Sequence, residues 1–352
     1  MEKVLQPSST VENVGIGQVA THNLRKGPFY HHLTYYVTVW KTAATAGFTS
    51  ATLADALDTL EVRINTQARR TIKAVELDTI QTAWGSIFAT VATDYLLNDA
   101  ITIDNGGADR VNGNALGGAN INGPGGVIPP QYTQRPTTFE FTIYFGEPWR
   151  KSYSAERFFG LPTSWATGKT VDVQVALKVP TPGYTSVPQI RCEEFIDFAT
   201  GPHLKALANG KPDTTTQEVL PFVHYWRINK NYSATQFSIT DWGNTSGKLQ
   251  QISLFAQVGD ALQKYTVKGD GTTKRDTTKF GNDNLNYRYD WGVGVYNANV
   301  THIAGDVSDD VVDWFQFNLY RNFELALTLS QAAAGNKNIV AIVQAYDVIT
   351  LP

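Results

Sequence analysis

LDTLEVRINTQARRTIKAVELDTIQTAW, from Leu57 to Trp84, carries both kinds of periodicity found in this chain. Leu60, Val62 and Ile64 alternate with Glu61, Arg63 and Asn65, so a strand here has one apolar and one polar face. The period then changes. Val75, Leu77, Ile80 and Trp84 recur at spacings of two, three and four, as the apolar stripe of a short helix does. Glu76 and Asp78 fall in its first turns, where the macrodipole favours negative charge. The reading predicts a half-exposed strand leading into a helix whose polar side, Glu76, Asp78 and Gln81, faces water or a neighbouring subunit. Arg69, Arg70 and Lys73, just ahead of it, form the densest basic cluster of the chain.

On either side of this stretch the pattern is that of strands. Leu33, Tyr35, Val37 and Val39 share a face of Tyr30–Trp40, and Val171, Val173, Val175, Leu177 and Val179 share a face of a second run. Thr138–Phe145, Gln189–Phe198, Val219–Ile228, Thr235–Thr240, Leu249–Val258, Val311–Tyr320, Phe323–Ser330 and Asn338–Ile349 continue the series. Residues 1–28 are polar and broken by Pro7 and Pro28, and read as an N-terminal arm. The glycine-rich stretch 104–130 and the polar stretch 268–286 read as long excursions from the strands. Prolines and a glycine between 181 and 188 mark a linker. The division is therefore an arm over 1–28, one β-domain over 29–180 and another over 189–352. The fold class is all-β: two sandwich domains in tandem, with one short helix and long loops.

Composition suits that class. The chain has 352 residues, too many for one comfortable core, and 42% of them are hydrophobic. Only 17% are charged, against about 25% in an ordinary soluble protein. The net charge of −3 supplies no basic footprint for sequence-specific nucleic-acid binding. Cys192 is the single cysteine, so no internal disulfide is possible. The opening MEKVLQPSST lacks the apolar core of a signal peptide, and no run of apolar residues is long enough to span a bilayer.

Candidate chemistry is weak. Gly15, Gly17 and Ala20 fit the spacing of a dinucleotide fingerprint, but the buried strand that should precede it is missing. Gly168-Lys169-Thr170 matches the end of a phosphate-binding loop, yet a strand rather than a helix follows. The histidines His22, His31, His32, His203, His224 and His302 are not spaced as zinc ligands. His31 and His32, opening a strand, are expected to face solvent or a neighbouring subunit. Glu193 and Glu194 beside Cys192 disfavour a reactive thiolate. Asp306, Asp309, Asp310 and Asp313 lack the spacing of a calcium loop. No catalytic residue and no cofactor follow from these patterns. An exposed tryptophan such as Trp242 or Trp291 would support the alternative, a carbohydrate- or receptor-binding β-sandwich.

Two tandem all-β halves, a polar arm, long loops and no catalytic constellation together resemble the double jelly-roll major capsid proteins of tailless icosahedral viruses, particularly phages with an internal membrane. The resemblance is architectural and covers about residues 30 to 349. Tyr30–Trp40 and Leu57–Thr71 would be neighbouring strands of the first barrel, Glu76–Trp84 its flanking helix and Val171–Val179 its last strand. Val219–Ile228 would open the second barrel and Asn338–Ile349 close it. The resemblance implies a coat protein, made in the host cytoplasm and located in the virion shell. Its partners would be itself, as a homotrimer and between capsomers, a penton or vertex protein, and an underlying membrane or membrane protein. On this reading the arm orders on assembly, and Arg69, Arg70 and Lys73 contact acidic residues of a neighbouring subunit.

Overall fold

The computed structural model describes residues 4–42, 56–89, 101–104, 134–145, 160–163, 170–179, 188–197, 218–243, 247–257, 260–288, 299–305, 315–330 and 337–351. Most of the glycine-rich stretch 104–130, the linker up to 187, Gly168, Lys169, His203, Trp291 and the aspartates at 306–313 lie outside them. The chain divides into two units: 1–79 with 98–146 and 160–205, and 80–97 with 147–159 and 206–352.

In the first unit the strands are β1 (Val4–Pro7), β2 (Val19–Asn23), β3 (Phe29–Thr42), β4 (Leu57–Ile64), β5 (Gln67–Lys73), β6 (Ile101–Asp104), β7 (Gln134–Tyr144), β8 (Leu161–Pro162), β9 (Val171–Leu177) and β10 (Gln189–Asp197). Helix α1 (Ala74–Ala89) follows β5. One sheet runs β1-β10-β3-β7-β6, with β8 against the start of β3; the strands facing it run β5-β4-β9-β2. Leu33, Tyr35 and Val37 from β3 and Phe141 and Ile143 from β7 are buried between the sheets. So are Leu60, Val62, Ile64, Val173, Val175 and Leu177 from β4 and β9. These are the alternating positions of the sequence, because successive side chains of a strand point to opposite faces.

The second unit repeats the scheme with β11 (Glu218–Tyr232), β12 (Gln236–Ile239), β13 (Lys248–Phe255), β14 (Leu262–Gly269), β15 (Thr272–Thr278), helix α2 (Lys279–Arg288), β16 (Val300–Ala304), β17 (Phe315–Gln316), β18 (Phe323–Leu329) and β19 (Lys337–Leu351). Its sheets run β16-β13-β19-β11, with β17 on β13, and β12-β18-β14-β15. This is the strand order of a jelly roll, in which first and last strands pair: β11 lies on β19 from Glu218–Leu351 to Tyr232–Lys337. The core holds Leu325, Leu327 and Leu329 of β18 and Ile339, Ala341 and Val343 of β19. Trp242, Phe317 and Phe323 close one end of it. Phe317 and Phe323 meet edge to face at 4.7 Å, and Trp242 Nε1 donates to the Phe323 carbonyl at 2.9 Å.

Several expectations differ from this arrangement. Residues 4–7 and 19–23 are strands of the first unit, not an arm: β2 buries only Ala20 and His22, too small and too polar a pair to read as a strand. β10 pairs with β1 and β3, so Gln189 does not begin the second domain and β9 is not the last strand of the first. The prolines before it mark the connection between two strands of one jelly roll. β3 and β4 belong to opposite sheets rather than lying side by side. The stretch 268–286 is no excursion but the β14–β15 hairpin and α2. Within the expected strand Val311–Tyr320, Phe315–Gln316 is extended and Phe317–Leu319 turns as a 3-10 helix.

Candidate functional site

The basic cluster ahead of α1 is built by a hairpin. Asn65 and Thr66 both take positive φ, 53° and 66°, the two-residue turn whose twist matches that of the flanking strands. Arg63 holds it closed, donating from Nε and Nη2 to the Thr66 carbonyl at 3.2 and 2.8 Å. β5 then sends successive side chains to opposite faces. Arg69 stays partly exposed and donates to Gln67 Oε1 at 2.6 Å. Lys73 is 44% exposed, 3.5 Å from Asp58.

Arg70 points the other way and is buried with Ile72. Its Nη1 donates to the Tyr144 carbonyl, and its guanidinium stands 5.4 Å from the centroid of the Phe145 ring. The predicted cluster thus splits into two surface cations and one internal clamp. The signal that separates them is the same alternation that marks β4: Arg70 is in phase with Ile72.

The helix is also turned relative to its expected orientation. Leu77 and Ile80 are buried, but so are Glu76 and Gln81, while Val75 is 41% exposed. Glu76 reaches back to accept the Lys73 backbone N–H at 3.1 Å, one half of a capping box. Sequence periodicity treats a first-turn carboxylate as a surface group, and here its capping duty draws it inward.

The second unit repeats this assembly at one constant spacing. Asp270 and Gly271 form the matching turn, with φ of 48° and 78°. Arg275 stands as far beyond that turn as Arg70 does beyond its own, and donates to the Ala304 carbonyl at 2.5 Å. Tyr144 and Ala304 are the last residues of β7 and β16. α2 begins four residues after Arg275, as α1 does after Arg70. Lys274 holds the place of Arg69, with its Nζ 5.3 Å from the Tyr320 ring centroid. Thr278, in the place of Lys73, supplies the other half of the capping box: its Oγ1 accepts the Gly281 N–H at 3.1 Å. Two stretches with little residue identity thus build one device: a left-handed turn, a clamping arginine and a capped helix.

α2 and Arg275 also occupy the free side of the edge strand β16. Lys279 Nζ donates to the Val300 carbonyl at 3.1 Å, and Asn282 and Asn286 donate to His302 O at 2.9 and 2.8 Å. With Arg275 on Ala304, three successive outward carbonyls of that strand are filled by side chains.

Elsewhere the cysteine and several histidines are turned inward. Cys192 is buried, and burial pushes its thiol up to about 12. His22 and His302 are pulled down to about 4, chiefly by burial. Ser8 lies 2.9 Å from His22 Nε2 but gives its hydrogen to Glu194 Oε2, so the two are not a nucleophile and its base. His31 is buried rather than solvent-facing, and His32 stacks on Phe195 at 4.8 Å. Trp242 is 2% exposed and offers no sugar platform. Gly15–Gly17 turns into β2 and not into a helix, so the dinucleotide reading fails on its own criterion. Among the described residues no group of three or more His, Cys, Asp or Glu side chains could hold a metal ion.

No family model and no curated protein matches this sequence. Solved structures do. The major capsid protein P2 of bacteriophage PM2 superposes with a TM-score of 0.64 at 13% identity, over 99% of this chain and 98% of that one. The major capsid protein of STIV gives 0.60 at 12% identity, over 98% and 97%. The PBCV-1 virus capsid gives 0.61 at 10% identity, over 99% and 94%. The chain has the fold of these capsid proteins, the double jelly roll.

Proposed function

We propose that this chain is the major coat protein of an icosahedral virus, acting in the virion shell. The observation that carries the reading is the end-to-end likeness to the PM2 capsid protein: each chain covers nearly the whole of the other. Three copies, each with two jelly rolls, form a pseudo-hexagonal capsomer, and capsomers tile the shell. The work is mechanical and needs no reaction centre. The low share of charged residues supports it, since charged side chains are depleted in the cores of protein interfaces. A vertex protein and an underlying membrane or membrane protein complete the set of partners. No helix among the described residues is long and apolar enough to cross a bilayer.

Within this reading Arg69 and Lys73, the outward members of the basic cluster, pair with acidic side chains of a neighbouring copy; Arg70 does not take part. Electron microscopy of the purified chain, with light scattering on the same sample, tests the proposal. Hexagonal blocks of trimer mass are expected. A stable monomer at concentrations where capsomers persist would overturn it.

A further inference from the structure

Residues 4–24 reach both sheets of the first unit and join each at its edge, β1 on β10 and β2 on β9. Glu12, between the two strands, exchanges backbone hydrogen bonds of 2.8 and 2.9 Å with Thr21 of β2, closing the segment on itself. Its buried apolar anchors are few: Val11, Ala20 and Leu24. A polar cluster supplies the rest. Glu194, fully buried on β10, accepts from Gln6 Nε2 at 2.8 Å and from Ser8 Oγ at 2.9 Å, and pairs with the Arg25 guanidinium. His22, also fully buried, meets Ser8 Oγ at 2.9 Å and Ser9 Oγ at 3.1 Å through Nε2, and the Tyr35 hydroxyl at 2.8 Å through Nδ1. Tyr35 in turn stands against Cys192.

The chemistry of the partners assigns every hydrogen in this chain. A carboxylate only accepts, so Ser8 gives its single hydrogen to Glu194, while Ser9 gives its own to the Asn23 carbonyl at 2.9 Å. His22 must then donate from Nε2 to Ser8, which leaves Nδ1 bare to accept from Tyr35. A second proton on His22 can sit only on Nδ1, where the Tyr35 hydroxyl must turn its own hydrogen away, toward the weakly accepting Cys192 sulfur, to receive it. Its charge would lie in the interior beside a carboxylate already matched by Arg25. The groups that face His22 are thus Ser8 and Ser9 from the segment, Tyr35 from β3, and Glu194 and Cys192 from β10 at one remove.

We propose that residues 4–24 are an acid-released strap: protonation of His22 detaches β1 and β2 while the remaining strands of the first unit stay folded. Release bares the edges of β10 and β9 together, two sites for strand addition on one unit. Geometry carries the inference, since the strap has edge pairing and polar anchors where a core strand has apolar ones.

Hydrogen exchange of the purified full chain, read by mass spectrometry between pH 7.5 and 4.0 and corrected for the intrinsic pH dependence of exchange, tests it. Peptides within 4–24 should lose protection by about tenfold or more while those covering 29–37 and 57–64, which make no ladder to the strap, keep theirs. His22→Gln keeps one donor and one acceptor but cannot take the charge, and should move release about one pH unit or more lower. Tyr35→Phe removes the hydroxyl that satisfies Nδ1 in either protonation state and should move release higher. Simultaneous loss in all peptides, protection of 4–24 unchanged down to pH 4.0, or an unshifted profile in His22→Gln would overturn the proposal. If His22→Gln does not fold, Tyr35→Phe decides alone, and release at the same or a lower pH rejects it.

Discussion

Arg69 and Arg70 are adjacent, carry the same charge and have opposite fates. Arg70→Glu would leave a carboxylate in an apolar interior against the Tyr144 carbonyl and the face of Phe145, a loss of about 3–5 kcal/mol. Arg69→Glu should change stability by less than about 0.5 kcal/mol, because its only described partner is the side chain of Gln67 at the surface. Urea titration of the two variants checks the contrast, and equal midpoints would refute the inward assignment of Arg70. His22 sets a second residue-scale expectation. Burial lowers its folded pKa from 6.5 to about 4, so above pH 6.5 it is neutral both folded and unfolded and contributes nothing to pH dependence. Between those values the unfolded chain binds the proton first and stability falls as pH drops, by about 3 kcal/mol in all, levelling below pH 4. Asp260 adds to the acid loss with the same sign: Lys337 and Tyr232 hold its carboxyl below the usual range, so its contribution disappears as pH falls through that lowered value. The difference between wild type and His22→Gln in denaturation midpoint against pH isolates the histidine. The two curves should converge above pH 7 and separate below 6.

At the scale of the element, the repeated hairpin is the unit of design. Thr66 is β-branched and held at a φ of 66°, a conformation that costs such a residue about 1 kcal/mol or more, whereas Gly271 takes the equivalent place freely. Exchanging them in kind should therefore have opposite signs: Thr66→Gly stabilises by about 1 kcal/mol and Gly271→Thr destabilises by a similar amount. Differential scanning calorimetry of both variants measures this directly. The hairpins also show what the sequence reveals about this fold and what it conceals. β4 is legible because Leu60, Val62 and Ile64 are large, apolar and strictly alternate. β15, TTKRDTT, is not: its strand character lies in pairing with β14 and in the clamp of Arg275, neither of which has a local pattern. β1 and β2 are concealed for a related reason, since His22 and Glu194 are polar groups buried by hydrogen bonding through Ser8, and the half-buried Gln6 donates to Glu194 as well. Hydrophobic alternation cannot see such a strand. Of the candidate cluster, the sequence reveals the location and the charge. The inward turn of Arg70 could have been read from its phase with Ile72, whereas the matching role of Arg275 needs the tertiary contact with Ala304.

Across the whole molecule, each unit closes with a similar helix-bearing connection, and the side chains left outside are what another copy would meet. Reversing the outward pair, Arg69→Glu with Lys73→Glu, should leave the far-ultraviolet circular dichroism and melting temperature nearly unchanged and lower the yield of trimers or particles severalfold. An unchanged yield would remove these residues from the interface without touching the fold. In the coat role proposed above the chain would reach very high local concentration in the cell, where any bare β-edge is an invitation to run-on polymerisation by backbone pairing. The three side-chain-filled carbonyls of β16 act against that hazard. With Val300, His302 and Ala304 already taken, a passing strand finds no acceptor row to copy, and copies of this unit can add to one another there only through side chains. Asn282→Ala combined with Asn286→Ala reopens the middle of the row, and such a variant should seed thioflavin-positive fibres under conditions that keep the parent protein in solution.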